Sequence, residues 1–251
     1  MGDKLIEARK HVIDGDTLAV EGLLENAMIY YNKALNMCPN LTDALWGRGL
    51  TYYRLDKFED AIEDFQRCID IDPECSDYHG MLGLIHRDLG DILESISSFS
   101  AALYFSSSDN ERVGSLCCRG EVWASFGEHE AAVSDFDQAL SIDPLWAHAY
   151  SCRSFSLYKL GRYEGALSDC DRLIELREKE RGIIGSYRLK RAVIYDAMGH
   201  ENKAQEDMSA AVVAGISVSE VDEIMKEYKY SHELSVETIE TIIHSQDKTG
   251  F

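Results

Sequence analysis

The sequence predicts an all-α fold: a right-handed superhelical solenoid of six helical hairpins followed by C-terminal capping helices. Three observations predict it. The 251-residue chain repeats with a period of 34 residues. A glycine-rich column recurs between the two helices of each repeat, and all three prolines fall in one further column.

The aligned blocks are residues 8–41, 42–75, 76–109, 113–146, 147–180 and 185–218, each reading as helix, short turn, helix. One column holds small residues in the first helix: Gly15, Gly49, Gly83, Gly120, Ser154 and Ala192. A second holds Ala27, Ala61, Ser95, Ala132, Ala166 and Ala204, and a third the bulkier Tyr31, Phe65, Phe99, Phe136, Cys170 and Met208. A small residue lets the second helix approach closely, and the bulky side chain fills the space beside it. The turn column is Gly22, Asp56, Gly90, Gly127, Gly161 and Gly199. With average glycine usage of about 7%, five glycines in six aligned places have a chance probability of about 10⁻⁵. Glycine there ends the first helix with a positive φ. Pro39, Pro73 and Pro144 stop the second helices, because proline lacks the N–H and clashes with the preceding turn. Blocks three and five lack that proline, with Ser107 and Glu178 in its place, and are followed by the extra residues 110–112 and 181–184. A longer loop or an extended second helix is expected at both points.

These columns resemble those of the tetratricopeptide repeat (TPR) family over about residues 8–218, most clearly in ALWGRGLTYYRLDKFEDAIEDFQRCIDIDP, residues 44–73. The resemblance implies a superhelix of helical hairpins whose first helices line a concave, protein-binding groove.

After residue 218 the period is lost. Ser219 reads as the N-cap of a helix with Val221, Ile224, Met225 and Tyr228 on one face, and Ser235 as the cap of another carrying Val236, Ile239, Ile242 and Ile243. A solenoid needs its last apolar face covered, so residues 219–246 are expected to cap it, a partner-binding or dimerising helix being the alternative. Residues 247–251 are expected to be a flexible tail.

Composition narrows the function. A formal net charge of −20 repels phosphate backbones and anionic leaflets, so neither nucleic acid nor membrane is an expected partner, while basic partners are compatible with it. No apolar run is long enough for a transmembrane helix, and residues 1–10 have no signal-peptide h-region. A cytoplasmic, monomeric protein is expected. The seven cysteines are odd in number and lack metal-ligand spacing, so they read as apolar filler in a reducing compartment. Asp70-Ile71-Asp72-Pro73-Glu74 lacks the central glycine and final glutamate of a calcium loop. His79 and His86 fall in columns that face the second helix. Catalytic, cofactor-binding and metal-ligating residues are read as none.

Four first helices carry an arginine just before the small column (Arg48, Arg119, Arg153, Arg191). The same four blocks carry an aspartate just before the bulky column (Asp64, Asp135, Asp169, Asp207). Their co-occurrence predicts partly buried Arg–Asp pairs between the helices of each hairpin. The groove faces supply two apolar pads separated by small side chains. The expected partner-binding residues are Trp46, Leu50, Tyr53, Arg54, Met81, Leu84 and Arg87, then Phe155, Tyr158 and Lys159. Exposed aromatics in a concave surface point to a partner, although lateral packing on neighbouring first helices would use the same residues. A protein segment with two apolar anchors would lie there, its flanking charges meeting Arg54, Arg87 and Lys159. Family members that hold a chaperone's C-terminal carboxylate use a lysine/asparagine/arginine clamp on three successive first helices. The clamp positions here are Val12, Asp16, Gly47, Asp77 and Met81, or Cys117, Glu121, Cys152, Ser186 and Lys190, which argues against carboxylate-clamp binding. The expected function is a non-catalytic adaptor or scaffold binding a partner segment in the groove. The alternative is a structural subunit of a larger assembly using convex and terminal surfaces.

Overall fold

The computed structural model describes residues 2–177, 181–217, 219–220, 223–224 and 228. Among them are twelve α-helices and no strand. The chain divides into two compact units, residues 1–122 and 123–251. In the first unit, α1 (Gly2–Val20) and α2 (Leu24–Met37), α3 (Thr42–Arg54) and α4 (Phe58–Ile71), and α5 (Ser76–Leu89) and α6 (Ile92–Phe105) form three antiparallel hairpins, followed by most of α7 (Asp109–Ser125). Each hairpin packs on the next through α2 against α3 and α4 against α5. In the second unit, α8 (His129–Ile142) packs on the hairpin α9 (Ala147–Lys159)/α10 (Tyr163–Leu176), and α10 packs on α11 (Arg181–Ala197), which pairs with α12 (Glu201–Val213).

The turns follow from the sequence columns. Every residue of the turn column has positive φ, from 71° at Gly161 to 88° at Gly127, with Asp56 at 55° the non-glycine member. Each such residue donates its N–H three residues back, and the next residue donates five back, as in Gly90 N to Arg87 O and Asp91 N to His86 O at 3.0 and 2.8 Å. This is the Schellman arrangement, which satisfies the last carbonyls of the first helix. At the other end, α2, α4 and α8 stop two residues before Pro39, Pro73 and Pro144. Asp143 Oδ1 accepts from Leu145 N–H at 2.8 Å, and Asp72 Oδ1 from Glu74 N–H at 3.4 Å. Asp72 thus closes a proline turn.

Small and bulky columns meet in the core. A Cβ built on Gly83 would lie 2.8 Å from the Phe99 ring, and one on Gly49 3.0 Å from Phe65. The Ala column is buried throughout, and its serine, Ser95, donates to Gly83 O at 2.8 Å. Cys68 and Cys170 are buried, and desolvation pushes each thiol up to about 12, in keeping with apolar filler. His79 faces its second helix as expected, stacked on Phe105 and donating to Pro73 O at 2.8 Å.

Two expectations are corrected. The extra residues 110–112 and 181–184 lengthen neither a loop nor a second helix. They add a turn to the start of the following first helices, α7 and α11, which reach 17 residues each. Ser108 caps α7: its Oγ accepts from Glu111 N–H at 3.3 Å, and Glu111 Oε2 accepts from Ser107 N–H at 2.9 Å. After α12 the cap is Ser217 rather than Ser219, because Ser217 Oγ accepts from Glu220 N–H at 3.3 Å and Glu220 Oε2 accepts from Ser217 N–H at 2.9 Å. Residues 219–220 and 223–224 are helical and residue 228 lies in a turn, while the other positions of the expected capping helices, with the 247–251 tail, lie outside the described residues.

Candidate protein-binding grooves

Arginines and aspartates of these columns meet as fork-to-fork pairs in three hairpins. Arg48 binds Asp64 through Nε and Nη2, both at 2.7 Å. Arg153 binds Asp169 at 2.9 and 2.6 Å, and Arg191 binds Asp207 at 2.6 and 2.7 Å. Asp64 and Asp169 side chains are only 2% and 3% exposed. Burial pushes the Asp169 carboxyl upward, and the Arg153 hydrogen bonds oppose that shift. Asp135 is buried in the second unit, while Arg119, in the first, donates to Ser100 Oγ at 2.9 Å. Each remaining Nη1 reaches the preceding hairpin: Arg48 to Asn32 and Arg153 to Asp137, both at 2.6 Å, and Arg191 to Asp171. Asn32, Ser100, Asp137 and Asp171 occupy one column, the residue after the bulky one, so this inter-hairpin tie was present in the sequence and overlooked. These arginines are structural.

Anchored in this way, the first helices of the first unit expose a groove. Its wider part, about 680 Å³, is lined by Arg9, Val12 and Asp16 of α1, Asp43 and Trp46 of α3, and Asp77 and Tyr78 of α5. Its continuation, about 350 Å³, is lined by Trp46, Met81, Leu84, Gly114 and Cys118. Trp46 is held edge-on against Phe65, ring centroids 5.4 Å apart, and tilted on Tyr78 at 5.5 Å. Leu50 and Tyr53 pack partly on the core around Phe65 and Ile85, and Tyr53 Oη donates to Asp88 Oδ2 at 2.6 Å, so lateral packing claims part of this pad. The cations expected to meet ligand charges are engaged within the unit. Arg54 donates to Ala19 O at 2.8 Å, and Arg87 binds Asp88 at 3.0 Å with Glu121 at 3.9 Å. Among the described residues lining the wider part, Asp16, Asp43 and Asp77 face one cation, Arg9. The expected partner-binding residues include none from α1, although Arg9, Val12 and Asp16 share columns with Asp43, Trp46 and Leu50.

In the second unit the structure brings Phe155, Tyr158 and Lys159 together and places Tyr228 on them. The Tyr228 ring lies 5.3 Å from Phe155 and 4.8 Å from Tyr158, and Lys159 Nζ donates to Tyr228 O at 3.2 Å. The Lys159 ammonium also sits 4.9 Å from the Phe155 ring centroid, a cation–π position.

Comparison with known proteins agrees with this architecture. Sequence profiles described as Tetratricopeptide repeat match residues 15–41, 43–75, 76–109 and 146–183, together more than half of the chain. The chain is 33% identical over 85 residues to a UDP-N-acetylglucosamine–peptide N-acetylglucosaminyltransferase of Giardia intestinalis, covering 31% of this chain and 6% of that protein. It is 24% identical over 208 residues to Tetratricopeptide repeat protein 21B of Xenopus laevis, covering 78% of this chain and 16% of that protein. The chain thus spans a small fraction of the length of these relatives. Its fold is similar to that of pilF of Pseudomonas aeruginosa, with a TM-score of 0.70 and 16% identity over 90% of this chain and 99% of that one. With its repeat columns, its Schellman turns and these matches, the chain belongs to the tetratricopeptide repeat family.

Proposed function

We propose that this protein is a non-catalytic adaptor that receives a partner segment along the groove of its first unit. Tetratricopeptide repeat proteins generally mediate protein–protein interaction, and among the described residues no helix is long and apolar enough to cross a membrane. The observation that carries the reading is the row Trp46, Met81 and Leu84, apolar and half-buried, lining an open groove between first helices. A concave surface of this kind takes one or two apolar anchors from a helical or extended segment. The carboxylates of Asp16, Asp43 and Asp77 at the wide end, with Arg54 and Arg87 already engaged, favour basic residues beside those anchors. This differs from a ligand whose charges meet Arg54 and Arg87.

The test is capture of partners by wild type and by Leu84→Glu, after both are shown to melt alike. Loss of a partner only in the variant supports the groove. Equal capture of the same partners rejects it. A second reading, a subunit that uses its convex face, is favoured by Leu93 and Tyr104, 75% and 82% exposed on one face of α6. Self-association at micromolar concentration that is lost in Leu93→Lys/Tyr104→Lys would support that reading.

A further inference from the structure

The groove side of α9 is covered by the chain itself. Beyond α12 the backbone turns at Gly215, φ 90°, and re-enters helix through the Ser217/Glu220 capping box. Tyr228 N–H donates to Ile224 O at 3.1 Å, which holds these two residues, four positions apart, side by side. Both are buried, 7% and 1% exposed. A segment that only capped the end would lay its apolar face on the last hairpin, α11/α12. Tyr228 reaches beyond it to α9 and rests on Phe155 and Tyr158, in a cluster that also holds Val193 of α11 and Met208 of α12. The polar anchor is the Lys159 ammonium on a main-chain carbonyl, which any helical segment could present.

We propose that Ile224 and Tyr228 act together as an intramolecular ligand of the α9–α11 groove. The covered surface is a binding site for a short amphipathic helix carrying an aliphatic residue and, four positions later, an aromatic one. The chain's own Ile224 and Tyr228 keep that site shut until a partner helix displaces them. This site lies in the second unit and does not depend on the groove proposed for the first.

The experiment uses full-length protein and a fluorescent synthetic peptide with the sequence of residues 214–230. A site occupied in cis binds the same sequence in trans more weakly, by the fraction of time it is open. Tyr228→Ala should therefore bind the peptide about tenfold or more tightly than wild type does. A peptide with alanine in place of its tyrosine should bind neither protein. Folded Tyr228→Ala that binds the peptide no better than wild type overturns the proposal. If Tyr228→Ala fails to fold, Ser217→Ala decides, because it removes only the exposed cap and leaves the groove intact. Tighter peptide binding by Ser217→Ala than by wild type supports an exchangeable segment, and unchanged binding overturns it.

Discussion

Arg153 uses all the reach of a guanidinium: two nitrogens on Asp169 of its own hairpin and a third on Asp137 of the preceding α8. A lysine has the charge but not the fork, so it cannot hold both partners. Removing the arginine leaves Asp169 buried and unpaired, and Arg153→Met should cost about 3–5 kcal/mol in a urea melt. The double variant Arg153→Met/Asp169→Leu should recover most of that loss, because a buried pair exchanged for apolar groups is close to neutral. A double variant no more stable than the single one would show that the arginine's packing, not the orphaned carboxylate, sets the cost. Gly83 makes the complementary point about volume. Its added Cβ would lie 2.8 Å from a Phe99 ring that is 2% exposed, so Gly83→Ala should destabilise by about 1–3 kcal/mol through overpacking. An unchanged melt would mean that the ring can move aside.

Elements are bounded by local chemistry, which is why most of them were legible. A turn that needs positive φ, a proline that cannot continue a helix and a 34-residue period are each readable from a few residues. Asp56 is the exception that shows the rule, since it holds φ 55° where the other turns have glycine. Asp56→Gly should therefore raise stability by up to about 1 kcal/mol by removing the left-handed cost of a side chain. The start of α7 differs from the expectation for a physical reason: the absence of proline suggested a longer connection, whereas Ser108 and Glu111 nucleate a helix at once. The Ser76 hydroxyl, then the Ser107 N–H and the Ser108 hydroxyl, hold Glu111 at about 2, well below its ordinary 4.5. Because the folded value is the lower one, the stabilisation is present above about 4.5 and is lost as pH falls toward about 2. The stability difference between wild type and Glu111→Gln, followed by urea melts across that range, should shrink with acidification. A difference independent of pH would assign the effect to shape rather than charge.

At the scale of the whole molecule, the sequence named groove residues but not their allegiance. Trp46, Met81 and Leu84 line open space, whereas Phe155 and Tyr158 lie beneath Tyr228, a residue about 70 positions further along the chain. Periodicity gives the direction in which a side chain leaves its helix and says nothing of what arrives from a distant segment. Charge shows the same limit. The net charge of −20 was plain, but the concentration of Asp16, Asp43 and Asp77 around one groove depends on three helices being stacked. Asp43 and Asp77 also sit in the first turns of α3 and α5, where a negative charge favours the helix by about 0.3–1 kcal/mol each. Asp43→Asn/Asp77→Asn should therefore lower stability slightly and weaken capture of a basic partner much more. In wild type that capture should fade with salt as the screening length falls from about 10 Å at 0.1 M to about 3 Å at 1 M, and in the variant, which keeps only Asp16 of the three carboxylates, it should depend on salt much less. Capture that is equally salt-dependent in both proteins would place the charged contact outside this groove, leaving Asp43 and Asp77 with a helix-capping role alone.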